Sequence, residues 1–97
     1  METDAALRAF AALASEHRLA VYRLLVRAGP DGMTVGEVAA ALGLANATLS
    51  FHLKSLVEAG LVMTRQQGRH IHCSADLAHM KALTAFLTEN CCGGKPC

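Results

Sequence analysis

The feature that most constrains this 97-residue chain is a helical break at Leu42-Gly43-Leu44, set between two short amphipathic stretches. Before the break, Thr34 opens a helix and Glu37 follows three residues later, the spacing of a capping box. After it, Leu49, Leu53, Leu56 and Val57 share one face of a helix running from about Asn46 to Ala59. Gly43 can adopt a positive φ without penalty, so a tight turn fits there. Ala39 is small where the two helices would cross, and Val38, Leu42, Leu44 and Leu49 anchor them. Two helices so joined form a helix-turn-helix.

The flanking segments complete the pattern. Glu2–Ala14 places Leu7, Phe10, Ala11 and Ala14 at three- and four-residue steps, predicting a first helix. Ser15 is placed to cap a second, striped by Leu19, Tyr22, Leu25 and Val26, and Ala28-Gly29-Pro30-Asp31-Gly32 stops it. Beyond Gly60 the apolar period changes from helical to alternating. Leu61–Arg65 and Arg69–Ser74 flank the polar turn Gln66-Gln67-Gly68, a hairpin signal. Asp76 then caps a last helix carrying Leu77, Met80, Leu83, Phe86 and Leu87. The predicted fold is mainly α with a β-hairpin, a winged helix-turn-helix over residues 1–90. Residues 91–97 are expected to be a flexible, cysteine-bearing tail.

Hydrophobic residues are 53% of the chain and charged residues 18%, which excludes a disordered polymer. No apolar run reaches the roughly 18 residues of a membrane helix. Met1–Phe10 carries Glu2, Asp4 and Arg8 where a secretory signal would be apolar, so a cytoplasmic protein without a membrane partner is expected. A domain this small buries only about two-thirds of its unfolded surface, which favours oligomers. Leu7, Phe10, Leu83, Phe86 and Leu87 lie on the outermost helices, so dimerisation through the first and last helices is expected.

The net charge of +1 hides a gradient. Residues 44–74 hold Lys54, Arg65 and Arg69 against Glu58 alone, together with His52, His70 and His72. The second helix of the motif is expected to turn Asn46, Ala47, Thr48, Ser50, Phe51, His52 and Lys54 away from the core. Short hydrogen-bonding side chains suit base edges, and lysine suits phosphate. The hairpin tip adds Arg65, Gln67 and Arg69, which could reach a minor groove or phosphates. Double-stranded DNA is the expected partner. His70 and His72 could share a metal on one strand face, but no third ligand lies nearby in sequence. They are read as surface residues and Cys73 as a small core residue.

Cys91, Cys92 and Cys97 crowd the last seven residues, where bridges could staple no core. The neighbouring pair, with Gly93 and Gly94 allowing Cys97 to fold back, fits a soft ion of three-fold coordination such as trivalent arsenic or antimony. Zinc would lack a fourth ligand. A thiol-bearing terminus without a ligand accounts for the same spacing equally well.

Ser15-Glu16-His17-Arg18-Leu19, the run T-L-S-F-H-L at 48–53, Ala59-Gly60-Leu61-Val62 and Glu89-Asn90-Cys91-Cys92-Gly93-Gly94 together resemble the ArsR/SmtB family of metal-responsive repressors, over nearly the whole chain. The terminal Cys-Cys resembles the arsenite-sensing branch whose ligands follow the last helix. The resemblance implies a homodimer on a palindromic operator, released when As(III) or Sb(III) binds as inducer, with no organic cofactor. It implies Cys91, Cys92 and Cys97 as the three ligands. Another arsenic-sensing branch has cysteines on the third helix, where this chain has Thr34, Gly36 and Ala39. Zinc-sensing relatives pair Asp-x-His with His-x-x-Glu on the last helix; Asp76 and His79 have the wrong interval, and Glu89 lacks its histidine. Within regulation, the alternative is a thiol-redox or persulfide sensor. A thiol-relay arsenate reductase would need a Cys-x5-Arg anion loop, but His79 and Cys97 occupy the sixth positions after Cys73 and Cys91. The chain is therefore expected not to be an enzyme, with no catalytic residues.

Overall fold

The computed structural model describes residues 1–96, so Cys97 and any ligand set that includes it lie outside the described residues. The elements run α1 (Thr3–Leu13), α2 (Glu16–Ala28), β1 (Met33–Thr34), α3 (Val35–Leu42), α4 (Asn46–Glu58), β2 (Val62–Gln67), β3 (His70–Ala75) and α5 (Leu77–Thr88). This is the expected winged helix-turn-helix. Three of its helix starts are set by capping side chains. Ser15 accepts from the Arg18 amide, and Asp76 accepts from the His79 amide at 3.0 Å. Thr34 and Glu37 form the full reciprocal box, at 3.1 and 2.9 Å. The turn between α3 and α4 follows the same logic. Gly43 sits at φ 65°, ψ 33°, and the Leu44 amide reaches back to the Ala39 carbonyl at 3.0 Å.

One core ties these pieces together. Val21 and Leu25 of α2, Val38 of α3, Leu49 and Leu56 of α4, Leu61, Cys73 of β3 and Leu83 of α5 are all completely buried. Cys73 is thus the core residue expected. Leu83 was expected at a dimer interface, but it belongs to the core of the single chain. It lies between its helical neighbours Met80 and Phe86, which are partly buried against the same core. Leu7 and Leu87, by contrast, remain exposed on α1 and α5.

The sheet departs from expectation in two ways. The order is β1-β3-β2, all antiparallel, and the two-residue β1 pairs Met33 with Cys73 and Thr34 with His72. A strand so short has no period to read. The hairpin is also longer and its turn tighter: Gln67 pairs with His70, leaving only Gly68-Arg69 at the tip. Gln66 and Gln67 therefore continue the ladder, and the Gln66 side-chain Nε2 also donates to the Gly68 carbonyl at 3.1 Å. After α5 the chain turns tightly over Cys91–Gly94, with Asn90 and Cys92 both in the left-handed region at φ 58° and 55°.

Candidate nucleic-acid interface

The polar side of α4 is as expected with one exception. Leu49, Leu53 and Leu56 recur at helical steps and are buried, so the opposite face is solvated by geometry. Asn46, Thr48, Ser50, Phe51 and Lys54 are exposed, Phe51 to 66%. The Phe51 ring therefore stands on the solvated face of the motif helix beside Ser50 and Lys54. Along β2 and the hairpin tip, Arg65, Gln67 and Arg69 are exposed as well.

The fold brings helix and wing together. A 290 Å³ cleft at the start of α3 is lined by Thr34, Gly36, Asn46, Ser50, Arg69 and His70. It places Asn46 and Ser50 of α4 and Arg69 of the wing on one concave surface, residue types suited to base edges and to phosphate. A second groove, of 390 Å³, runs between α4 and the wing with Ser50, Lys54, Thr64 and Cys73 among its walls.

His52 is the exception. It is half-buried on the flank of α4 that meets α2, and its Nδ1 lies 3.4 Å from Nη1 of Arg18. The His17 ring lies 5.5 Å away, and Phe51 meets His52 edge-on at 5.6 Å. Desolvation, then the Arg18 and His17 charges, hold the His52 imidazole below its ordinary pKa, so it is neutral at pH 7. The signal that would have revealed this contact is a pairing 34 residues apart in sequence, which no local period carries.

Glu37 is a second residue that only the fold connects to the wing. Hydrogen bonds from Thr34 lower its pKa, with smaller contributions from His72 and His70. His70 is exposed and His72 half-buried, and among the described residues no three His, Cys, Asp or Glu side chains converge as a metal site.

The thiols divide by environment. Burial pushes the Cys73 thiol up, away from the reactive thiolate. Cys91 and Cys92 are exposed at the end of α5, and Cys92 takes part in a disulfide.

The helix-turn-helix domain family matches residues 13–65, from the end of α1 into β2. A Bacillus subtilis protein described as an uncharacterized HTH-type transcriptional regulator, YceK, is 40% identical over 70 residues, covering 70% of this chain and 69% of its own. The ArsR family transcriptional regulator RHA00566 is 31% identical, over 93% of this chain and 90% of that one, with a TM-score of 0.77. The chain belongs to the helix-turn-helix transcriptional regulators of the ArsR type. An ArsR-like transcriptional regulator from Rhodococcus sp. RHA1 superposes with a TM-score of 0.77 at 26% identity, over 87% of this chain and 76% of that one. The homodimeric winged helix-turn-helix domain of Mb0332 from Mycobacterium bovis, a possible ArsR-family regulator, gives 0.71 at 29% identity, over 90% and 81%. This regulator is accordingly a DNA-binding protein and not an enzyme. No helix among its described residues is long and apolar enough to cross a membrane.

Proposed function

We propose that the regulator is a homodimeric repressor that occupies a palindromic operator and leaves it when As(III) binds Cys91, Cys92 and Cys97. The observation that carries the proposal is the exposed Cys91-Cys92 pair directly after α5, with a third cysteine five residues beyond. A trivalent arsenic or antimony centre takes sulfur ligands, and two neighbouring thiolates plus one on a glycine-containing segment supply that number. Cys92 must first be reduced, because the ion binds thiolate and not disulfide sulfur.

The dimer and the coupling rest on α5. Leu87 is 61% exposed and Leu7 on α1 60%, a pair of large apolar side chains suited to a two-fold contact. The other end of α5 is tied to the motif: the Asp76 amide donates to the Leu61 carbonyl at 2.9 Å, and the His79 ring lies against Gly60, two residues after α4. A change fixed at the tail thus has a rigid element through which to alter the separation of two recognition helices. A ten-fold loss of operator affinity needs about 1.4 kcal/mol of coupling.

The Cys92 disulfide favours one other mechanism, a thiol-redox regulator of the same fold. One titration separates the two. An operator selected from random duplexes is followed by anisotropy while arsenite, antimonite, zinc or peroxide is added, each with and without a non-thiol phosphine reductant. Release by arsenite under reducing conditions is the expected result. Release by peroxide alone, reversed by the reductant, would replace arsenite sensing by redox sensing.

A further inference from the structure

Arg18 does more than cover the surface of α2. Its Nε donates to the Ala12 carbonyl at 2.7 Å, satisfying one of the carbonyls left open at the end of α1. Its own amide donates to the Ser15 cap of α2. On the same guanidinium, Nη1 lies 3.4 Å from Nδ1 of His52 on α4. One planar group therefore links the end of α1 to the middle of the recognition helix, while the backbone of the same residue is held by the cap of α2.

The chemistry of the pair fixes a proton. A guanidinium has only donors and keeps its charge at any working pH. Nδ1 of His52 must then be the acceptor, and a neutral ring carries its hydrogen on Nε2, at the opposite edge. A proton on Nδ1 would face the Arg18 hydrogens, and a doubly protonated ring would set a second cation beside the first. His52 consequently carries a donor on the ring edge away from Arg18. In a major groove that edge can pair with guanine N7 or O6 or with thymine O4, and elsewhere with a phosphate oxygen.

We infer that Arg18 is a positioning residue for DNA recognition: it orients the His52 imidazole as an Nε2–H donor and docks α4 against the corner of α1 and α2. This rests on the DNA-binding role of the helix-turn-helix and is independent of arsenic sensing. Arg18 touches the partner only through His52.

The test is a double-mutant cycle on operator affinity in the full chain, using Arg18→Met, His52→Ala and both together. Arg18→Met should weaken binding about ten-fold, the scale of one charge-assisted contact, and by less than about two-fold when His52 is already alanine. An equal loss in both backgrounds overturns the proposal, and a fall of about one in the salt slope would make Arg18 a direct phosphate ligand instead. Histidine NMR supplies the readout that a general packing role would not move. In Arg18→Met the His52 titration midpoint should rise, because an opposing charge is gone. Arg18→Lys, which keeps a cation but has no planar fork, should keep the midpoint low and restore part of the affinity. A His52 midpoint unchanged in Arg18→Met also overturns the proposal.

Discussion

Replacing Gly60 by alanine measures how tightly α5 is geared to the recognition helix. Gly60 follows α4 at φ +80°, and a Cβ built there would stand 3.0 Å from both Cε1 and Nε2 of the His79 ring. A left-handed backbone costs a residue with a side chain about 1–2 kcal/mol. The ring must also retreat by a few tenths of an ångström in a packed seam, and overpacking adds about 1 kcal/mol. Moving the ring costs no hydrogen bond at Nε2, because that buried atom has no partner among the described residues. The sum is about 2–3 kcal/mol, which in a domain of this size lowers Tm by roughly 8–24 °C. Thermal unfolding followed by far-ultraviolet circular dichroism, on Gly60→Ala, His79→Ala and the double variant, separates the two parts. The alanine should cost about 1 kcal/mol less in the His79→Ala background, because crowding vanishes while the backbone strain stays. Full additivity would refute the contact, and an unchanged Tm in Gly60→Ala would refute the strain.

Four further outcomes are expected. Leu49→Ala opens a cavity in the completely buried centre of α4 and should cost about 2–5 kcal/mol in urea unfolding, with operator binding lost at the same temperature. Because the folded-state pKa of Glu37 is lowered, its contribution is complete above the unfolded carboxylate value and lost as pH falls through the folded one. Stability measured from pH 6 down to pH 3 should therefore decline less steeply in Glu37→Gln. Cys91→Ser and Cys92→Ser should bind operator but ignore arsenite, whereas buried Cys73→Ser should respond normally; anisotropy with reductant present decides between them. Leu87→Glu changes an exposed side chain and should leave the monomer folded but shift sedimentation to monomer, with operator affinity lost.

The helices and their limits were legible because each is governed by residues close in sequence. Ser15, Thr34 with Glu37, and Asp76 act over three residues, and Gly43 acts on its own backbone. The polar face of α4 follows from the same locality: once Leu49, Leu53 and Leu56 are buried, Asn46, Thr48, Ser50, Phe51 and Lys54 have to be outside. The hairpin was legible as an alternation but not in register. Gln66 and Gln67 read as turn residues by polarity, yet an exposed edge strand accepts polar side chains at every position.

What lay beyond the sequence are the contacts whose partners are far apart along it. No period announces that Met33 will pair with Cys73, that Arg18 will reach His52, or that His79 will rest on Gly60. His52 illustrates the division. Its place on α4 and its polarity suggested a base-reading side chain free in solvent. Packing of α2 beside α4 instead half-buries it and gives it a permanent cation as neighbour. Leu83 shows the same for apolar groups, since hydrophobicity states only that a side chain leaves water and tertiary packing decides which surface covers it. Local backbone preferences and helical period, acting over three or four residues, determined the elements and the family of this chain. Docking of α2 against α4, and of α5 against the turn that follows α4, depends on shape and charge between residues far apart in sequence, and it decided how the recognition helix is held.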